Sequence, residues 1–205
     1  MLSKTRFITI TTVLAFLVGL QACAQKATPQ EGCNFIVNSQ KQRVSWQNRA
    51  PVTLYIDPSV RSEFYAGIQN AAQAWNRQLG REVLRIGGIL SQSSSPSRDG
   101  KNVIYWSPTW DANQPYEQAR TTVSWISDQI QDADVRINGK ILMSTANQPI
   151  RGYIDFESLM VHEFGHVLGL MHIERNDSVM LKSLPDDYLR RQPSDFDISS
   201  AQCEY

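Results

Sequence analysis

All three histidines of this 205-residue chain fall in one run of eleven, His162-Glu163-Phe164-Gly165-His166-Val167-Leu168-Gly169-Leu170-Met171-His172. His162 and His166 are four residues apart, so on a helix they share a face and two imidazoles can reach one metal ion. Glu163 follows the first histidine, where its carboxylate can approach an activated water without being a ligand itself. Gly169 can adopt a positive φ, which turns the chain sharply out of the helix and returns His172 as a third ligand. Three neutral imidazoles leave the fourth tetrahedral position open, which separates a catalytic zinc from a structural one. Five fixed residues at this spacing arise by chance about once in 10⁵ chains of this size. Taken singly, each histidine is an ordinary core or surface residue; taken together, they are metal ligands.

Such a group needs a helix beneath it and a frame around that helix. Asp155 predicts the cap of a helix over 156–168. Residues 52–56 alternate and are β-rich, a first strand. Asp57-Pro58 then predicts the start of a helix, with Val60, Phe64, Ile68, Ala71, Ala72, Trp75 and Leu79 on one core-facing stripe and Gly80 as the stop. Further strands are expected over 82–86, 102–106, 121–126 and 133–137, with Asn138-Gly139 as a turn. Residues 91–100, rich in Ser, Pro and Gly, read as a loop, and another helix is expected after Ser194. The order β-α-β-β-β-β-α-α gives an α+β domain: a mixed twisted sheet with a long helix, an active-site helix and a C-terminal helix. The five tryptophans are assigned to core and rim packing rather than to a sugar platform.

The histidine run is similar to H-E-x-x-H-x-x-G-x-x-H, the signature of the metzincin zinc peptidases, which also carry a methionine turn below the metal. Ser178-Val179-Met180 supplies that turn, eight residues after His172, the spacing of the matrixin branch. Residues 132–138 and 154–159 also resemble small bacterial matrixin-type proteins, and the likeness covers roughly residues 50–205. It implies a zincin-like fold, one catalytic Zn2+ and a zinc-dependent endopeptidase in which Glu163 is general base to zinc-activated water. A protein or peptide substrate would lie extended, antiparallel to an edge strand, with selectivity from a pocket lined by residues 181–188. The resemblance also allows Ca2+ at Asp186-Asp187 or at Asp195 and Asp197, but solvated loop acids and a helix N-terminal charge are the preferred reading of these residues. Tyr188 is a candidate for reaching the zinc region. The chain departs from the pattern in having Ile173 after the third histidine, no histidine for a second, structural zinc, and no Pro directly after the turn. The alternative from another class is a surface lipoprotein whose zinc-bound domain only binds polypeptide.

The rest of the sequence speaks to location. Lys4, Arg6 and the apolar residues 7–20 read as a signal peptide over 1–22, too short for a membrane span. Leu20-Gln21-Ala22-Cys23 resembles a lipobox, which favours lipidation of Cys23 and a bacterial cell-envelope lipoprotein. Ala22-Cys23-Ala24 also fits ordinary signal peptidase, which would give a soluble secreted or periplasmic protein. Either reading leaves Cys33 and Cys203, a candidate disulfide in an oxidising compartment. Cys33 is also a possible latency thiolate, but Gly32-Cys33-Asn34 does not resemble the family's latency motif. The polar residues 23–45 read as a tether or arm, and the peptidase domain is expected over 46–205. Twenty basic residues against twenty acidic ones leave no electrostatic footprint for nucleic acid, and a monomer is expected.

Overall fold

A computed structural model describes residues 32–205. The signal peptide and Cys23 lie outside the described residues. Five strands form one mixed sheet in the order β2-β1-β3-β5-β4: β1 (Val52–Ile56), β2 (Leu84–Ile89), β3 (Asn102–Ser107), β4 (Ala119–Ile126) and β5 (Gln129–Asn138). All neighbours pair in parallel except β4, which runs antiparallel to β5 and forms an edge of the sheet. A two-stranded ladder follows, β6 (Met143–Ser144) with β7 (Ile154–Asp155). Among the described residues there are three α-helices: α1 (Tyr65–Leu79), α2 (Phe156–Val167) and α3 (Asp195–Ala201). The expected α+β architecture, with its long helix, active-site helix and C-terminal helix, is the one observed.

The core forms where the apolar stripes meet. Val52, Leu54 and Ile56 alternate into it from β1, and Ile68, Ala71, Ala72 and Trp75 enter it from α1. α1 packs closely on α2: a Cβ on Gly67 would stand 2.9 Å from Phe156, and the Trp75 indole donates to the Val161 carbonyl at 2.9 Å. α2 is buried at every position except Glu157 and His166, as befits a helix enclosed by α1, the sheet and the tail. Gly80 ends α1 in the left-handed region at φ 66°, as expected.

Three expectations need correction. α1 starts at Tyr65 rather than at Pro58, because the Asp57 carboxylate is not a helix cap. It accepts from the Ser59 and Ser94 amides and the Ser93 hydroxyl, pinning the Ser-rich loop and holding the intervening chain as turns. β5 begins at Gln129, four residues earlier than the pattern suggests, since a two-residue turn at Ser127-Asp128 folds it directly onto β4. The segment read as a tether is built into the domain from Cys33 onward. Cys33, Phe35 and Val44 are fully buried, and Phe35 forms an antiparallel bridge with Leu170. Of the twelve residues from Cys33 to Val44 five are apolar: Cys33, Phe35 and Val44 enter the core, Ile36 packs against it, and the polar stretch 39–42 faces solvent.

Candidate active site

The site is assembled by α2 and the chain that leaves it. Asp155 caps the helix, accepting from the Ser158 amide at 2.9 Å, and Arg191 clamps the same carboxylate at 2.9 and 2.6 Å. His162 and His166 project from one face, one turn apart. After Val167 the helix stops, and Gly169 turns the chain at φ +96°. No side chain fits there, because a Cβ would stand 2.5 Å from the Val44 carbonyl oxygen. His172 is thereby returned to its partners. The three Nε2 atoms lie 3.1, 3.0 and 3.2 Å apart.

These separations bear on whether a metal fits. Tetrahedral nitrogens at a Zn–N distance of ~2.05 Å stand about 3.3 Å apart, so the observed triangle is close to one face of a zinc tetrahedron. The outer nitrogens fix the tautomers: His162 Nδ1 faces the Val179 carbonyl at 2.7 Å and His166 Nδ1 the Leu170 carbonyl at 2.8 Å. A carbonyl can only accept, so each Nδ1 carries the proton and each Nε2 keeps a lone pair for the metal. Burial holds the His162 ring well below its usual range and pushes His166 down to about 4. At neutral pH both rings are therefore neutral, each with its one proton on Nδ1, as ligation through Nε2 requires.

Glu163 lies beside this triangle, buried, with Oε2 accepting from the Thr121 hydroxyl of β4 at 2.6 Å. Burial raises its carboxyl to about 7, against the opposing effect of that hydrogen bond. A cleft of about 600 Å³ opens over Glu163 and the histidines, bounded by β4 on one side and by Lys182, Ser183 and Leu184 on the other. Of the expected pocket residues 181–188, these three line the cleft. Tyr188 does not; it is exposed, with Arg190 stacked on its ring.

Residues 72–205 match the family model for matrixins. The chain belongs to the matrixin family. The match takes in α2, the glycine turn, all three histidines and the tail, so the metzincin expectation is met. No curated protein matches the chain. The family is one of zinc metallopeptidases, which implies zinc and peptide substrates for this matrixin. Its histidine triad is a group able to hold such an ion.

Around the triad sit residues whose roles the sequence hid or suggested wrongly. Met180 is fully buried directly beneath Gly165, whose Cβ would stand 2.2 Å from the Met180 sulfur. Asp197, expected as a solvated acid or calcium ligand, is buried and holds the turn that leads to Met180. Its carboxylate accepts from the Ser178 hydroxyl at 2.5 Å, the Val179 amide at 2.9 Å, and the Ser194 amide and hydroxyl at 2.9 and 2.8 Å. The capping box Ser194-Asp197 is legible as S-x-x-D; its second use at the methionine turn is not. Asp186 accepts the Gly152 amide at 2.7 Å. Thr121 carries no sequence signal, since its role depends on β4 lying against α2. The Cys33–Cys203 disulfide is present, as expected, and suits an oxidising compartment. Among the described residues no helix is long and apolar enough to cross a membrane.

Proposed function

We propose that this matrixin is an exported zinc endopeptidase in which His162, His166 and His172 hold the metal through Nε2 and Glu163 is the general base. The observation that carries this is the triangle of Nε2 atoms 3.0–3.2 Å apart with a buried carboxylate at its side. Zinc bound there would act as a Lewis acid toward a scissile carbonyl and toward water. Glu163 takes a proton from the attacking water and passes it to the departing amine. Thr121 engages Oε2, so Oε1 is the oxygen this bond leaves for the proton transfer. The outer edge of β4, unpaired among the described residues, suits an extended peptide, which it would bind through main-chain hydrogen bonds. Ala119, Leu159 and Leu184, which line the cleft and pack together, suit an apolar substrate side chain. Met180 forms the floor under the metal-binding helix.

A domain that merely binds polypeptide has no use for Glu163, since a buried carboxylate is costly unless it works. The test is zinc content and cleavage of an unbiased peptide library by wild type and Glu163→Ala side by side. Stoichiometric zinc in both, with cleavage only in wild type, is expected. Zinc with no cleavage in either protein would favour the binding reading, and no zinc in wild type would sink the metal assignment. Export is supported by the disulfide and the signal-like leader. Mass spectrometry of the mature N-terminus separates a lipidated Cys23 from a soluble chain starting at Gln25.

A further inference from the structure

Two of the three histidines are oriented by hydrogen bonds to Nδ1; among the described residues His172 has no such partner. It is also the exposed member of the triad. Its position must therefore come from its backbone, and the backbone on either side of it is tied down. Ile173 donates to the Met180 carbonyl at 3.0 Å. On the other side the tie is the N-terminal arm. Met171 N–H donates to the Asn34 carbonyl at 2.9 Å, the Asn34 side-chain amide donates back to the Met171 carbonyl at 2.7 Å, and Ile36 N–H donates to the Gly169 carbonyl at 2.8 Å. These bonds join segments far apart in sequence, and Asn34 is held in place for them by the adjacent Cys33–Cys203 disulfide. Asn34 takes φ 43°, a conformation Asn tolerates better than most residues.

We propose that Asn34, clamped by the Cys33–Cys203 bridge, is a positioning residue for His172 and thereby sets how tightly the site retains zinc. The inference rests on the reading of His172 as a ligand. Free of the arm, the chain after Gly169 would keep the Leu170 bonds to Gly165 and His166, but between Leu170 and the Ile173 bond to Met180 nothing would hold Met171 and His172. The third imidazole would then sample positions off the zinc tetrahedron. The arm thus does for the third ligand what the Val179 and Leu170 carbonyls do for the other two. Outer partners of metal ligands are typically worth about 10–100-fold in affinity.

The test is the zinc dissociation constant of the whole protein, measured against a chromophoric chelator, for wild type, Asn34→Gly, Asn34→Asp and the double variant Cys33→Ala/Cys203→Ala. Glycine accepts φ 43° and leaves the backbone pairing, so Asn34→Gly removes only the side-chain bond. Aspartate sets a second acceptor against the Met171 carbonyl. Zinc affinity is expected to fall about tenfold for Asn34→Gly and further for the other two. Thermal melts of the zinc-free proteins show that each variant is folded. The decisive arm repeats Asn34→Gly on a His172→Ala background, where no further loss is expected because the ligand it positions is gone. An equal loss on both backgrounds would reduce Asn34 to general stability and overturn the proposal, as would unchanged affinity in Asn34→Gly. Tight zinc without peptide cleavage would count against the peptidase reading while leaving this one standing.

Discussion

Thr121 is the side chain through which the sheet touches the proposed base, and its hydroxyl fixes one carboxylate oxygen of Glu163. Thr121→Val keeps the volume and removes the donor. A hydrogen bond to a charged group is worth about 1.5–3 kcal/mol, so kcat should fall about tenfold or more with KM and zinc content little changed. Equal kcat in the two proteins would show that the carboxylate needs no such guide. Gly169 poses the opposite problem, of space rather than of bonding. Its φ of +96° excludes a side chain, and so does the Val44 carbonyl oxygen, which lies 2.5 Å from where a Cβ would stand. Gly169→Ala should lose about 2–4 kcal/mol and its zinc, whereas Gly32→Ala, which meets nothing within 4 Å, should melt like wild type.

At the level of elements, α3 and the methionine turn form one unit with Asp197 at its centre. Asp197→Ala strips the acceptor from Ser178, Val179 and Ser194 together. Val179 in turn orients His162, so melting temperature and zinc affinity should fall together, the former by about 10 °C for a loss near 3 kcal/mol. Asp186→Ala, which forfeits one exposed bond to Gly152, should change the melting temperature little. A drop at both positions alike would remove the special role of Asp197. Elements whose signals are local are legible in the sequence: the alternation of β1, the Gly80 stop, the Asp155 cap of α2 and the Ser194 cap of α3. The histidines, Glu163 and Gly169 are legible for the same reason, since one helix and one turn carry them all. What depends on distant segments is not. Asp57 and Asp197 have the composition of caps and solvated acids until the loops they bind are in place. The arm from Cys33 to Val44 carries five apolar residues among seven polar ones, and its buried Cys33 and Phe35 find their partners only in distant segments, at Cys203 and Leu170.

Across the whole molecule, two buried acids of β5 hold the Ser-rich loop against the sheet. Asp132 accepts the Gly100 amide at 3.0 Å, and Asp134 accepts the Ser97 and Val103 amides at 3.0 Å each. Burial nonetheless dominates at Asp134 and pushes its carboxyl from 3.8 up to about 6, with the Asp132 and Asp99 carboxylates adding to the rise. The folded protein therefore keeps a proton that the unfolded chain releases between about pH 4 and pH 6. Stability from this group is present at the low end of that window and is lost as pH rises through 6, by on the order of 1 kcal/mol. Zinc release and the other acids act over the same range, so the useful quantity is a difference between two proteins that share them. Asp134→Asn cannot ionise at this position. The melting temperature of wild type relative to Asp134→Asn should be most favourable near pH 4.5 and should decline steadily toward pH 7. A difference that is flat across that range, or that grows with pH, would mean that the two amide hydrogen bonds outweigh burial and keep Asp134 ionised in the folded state.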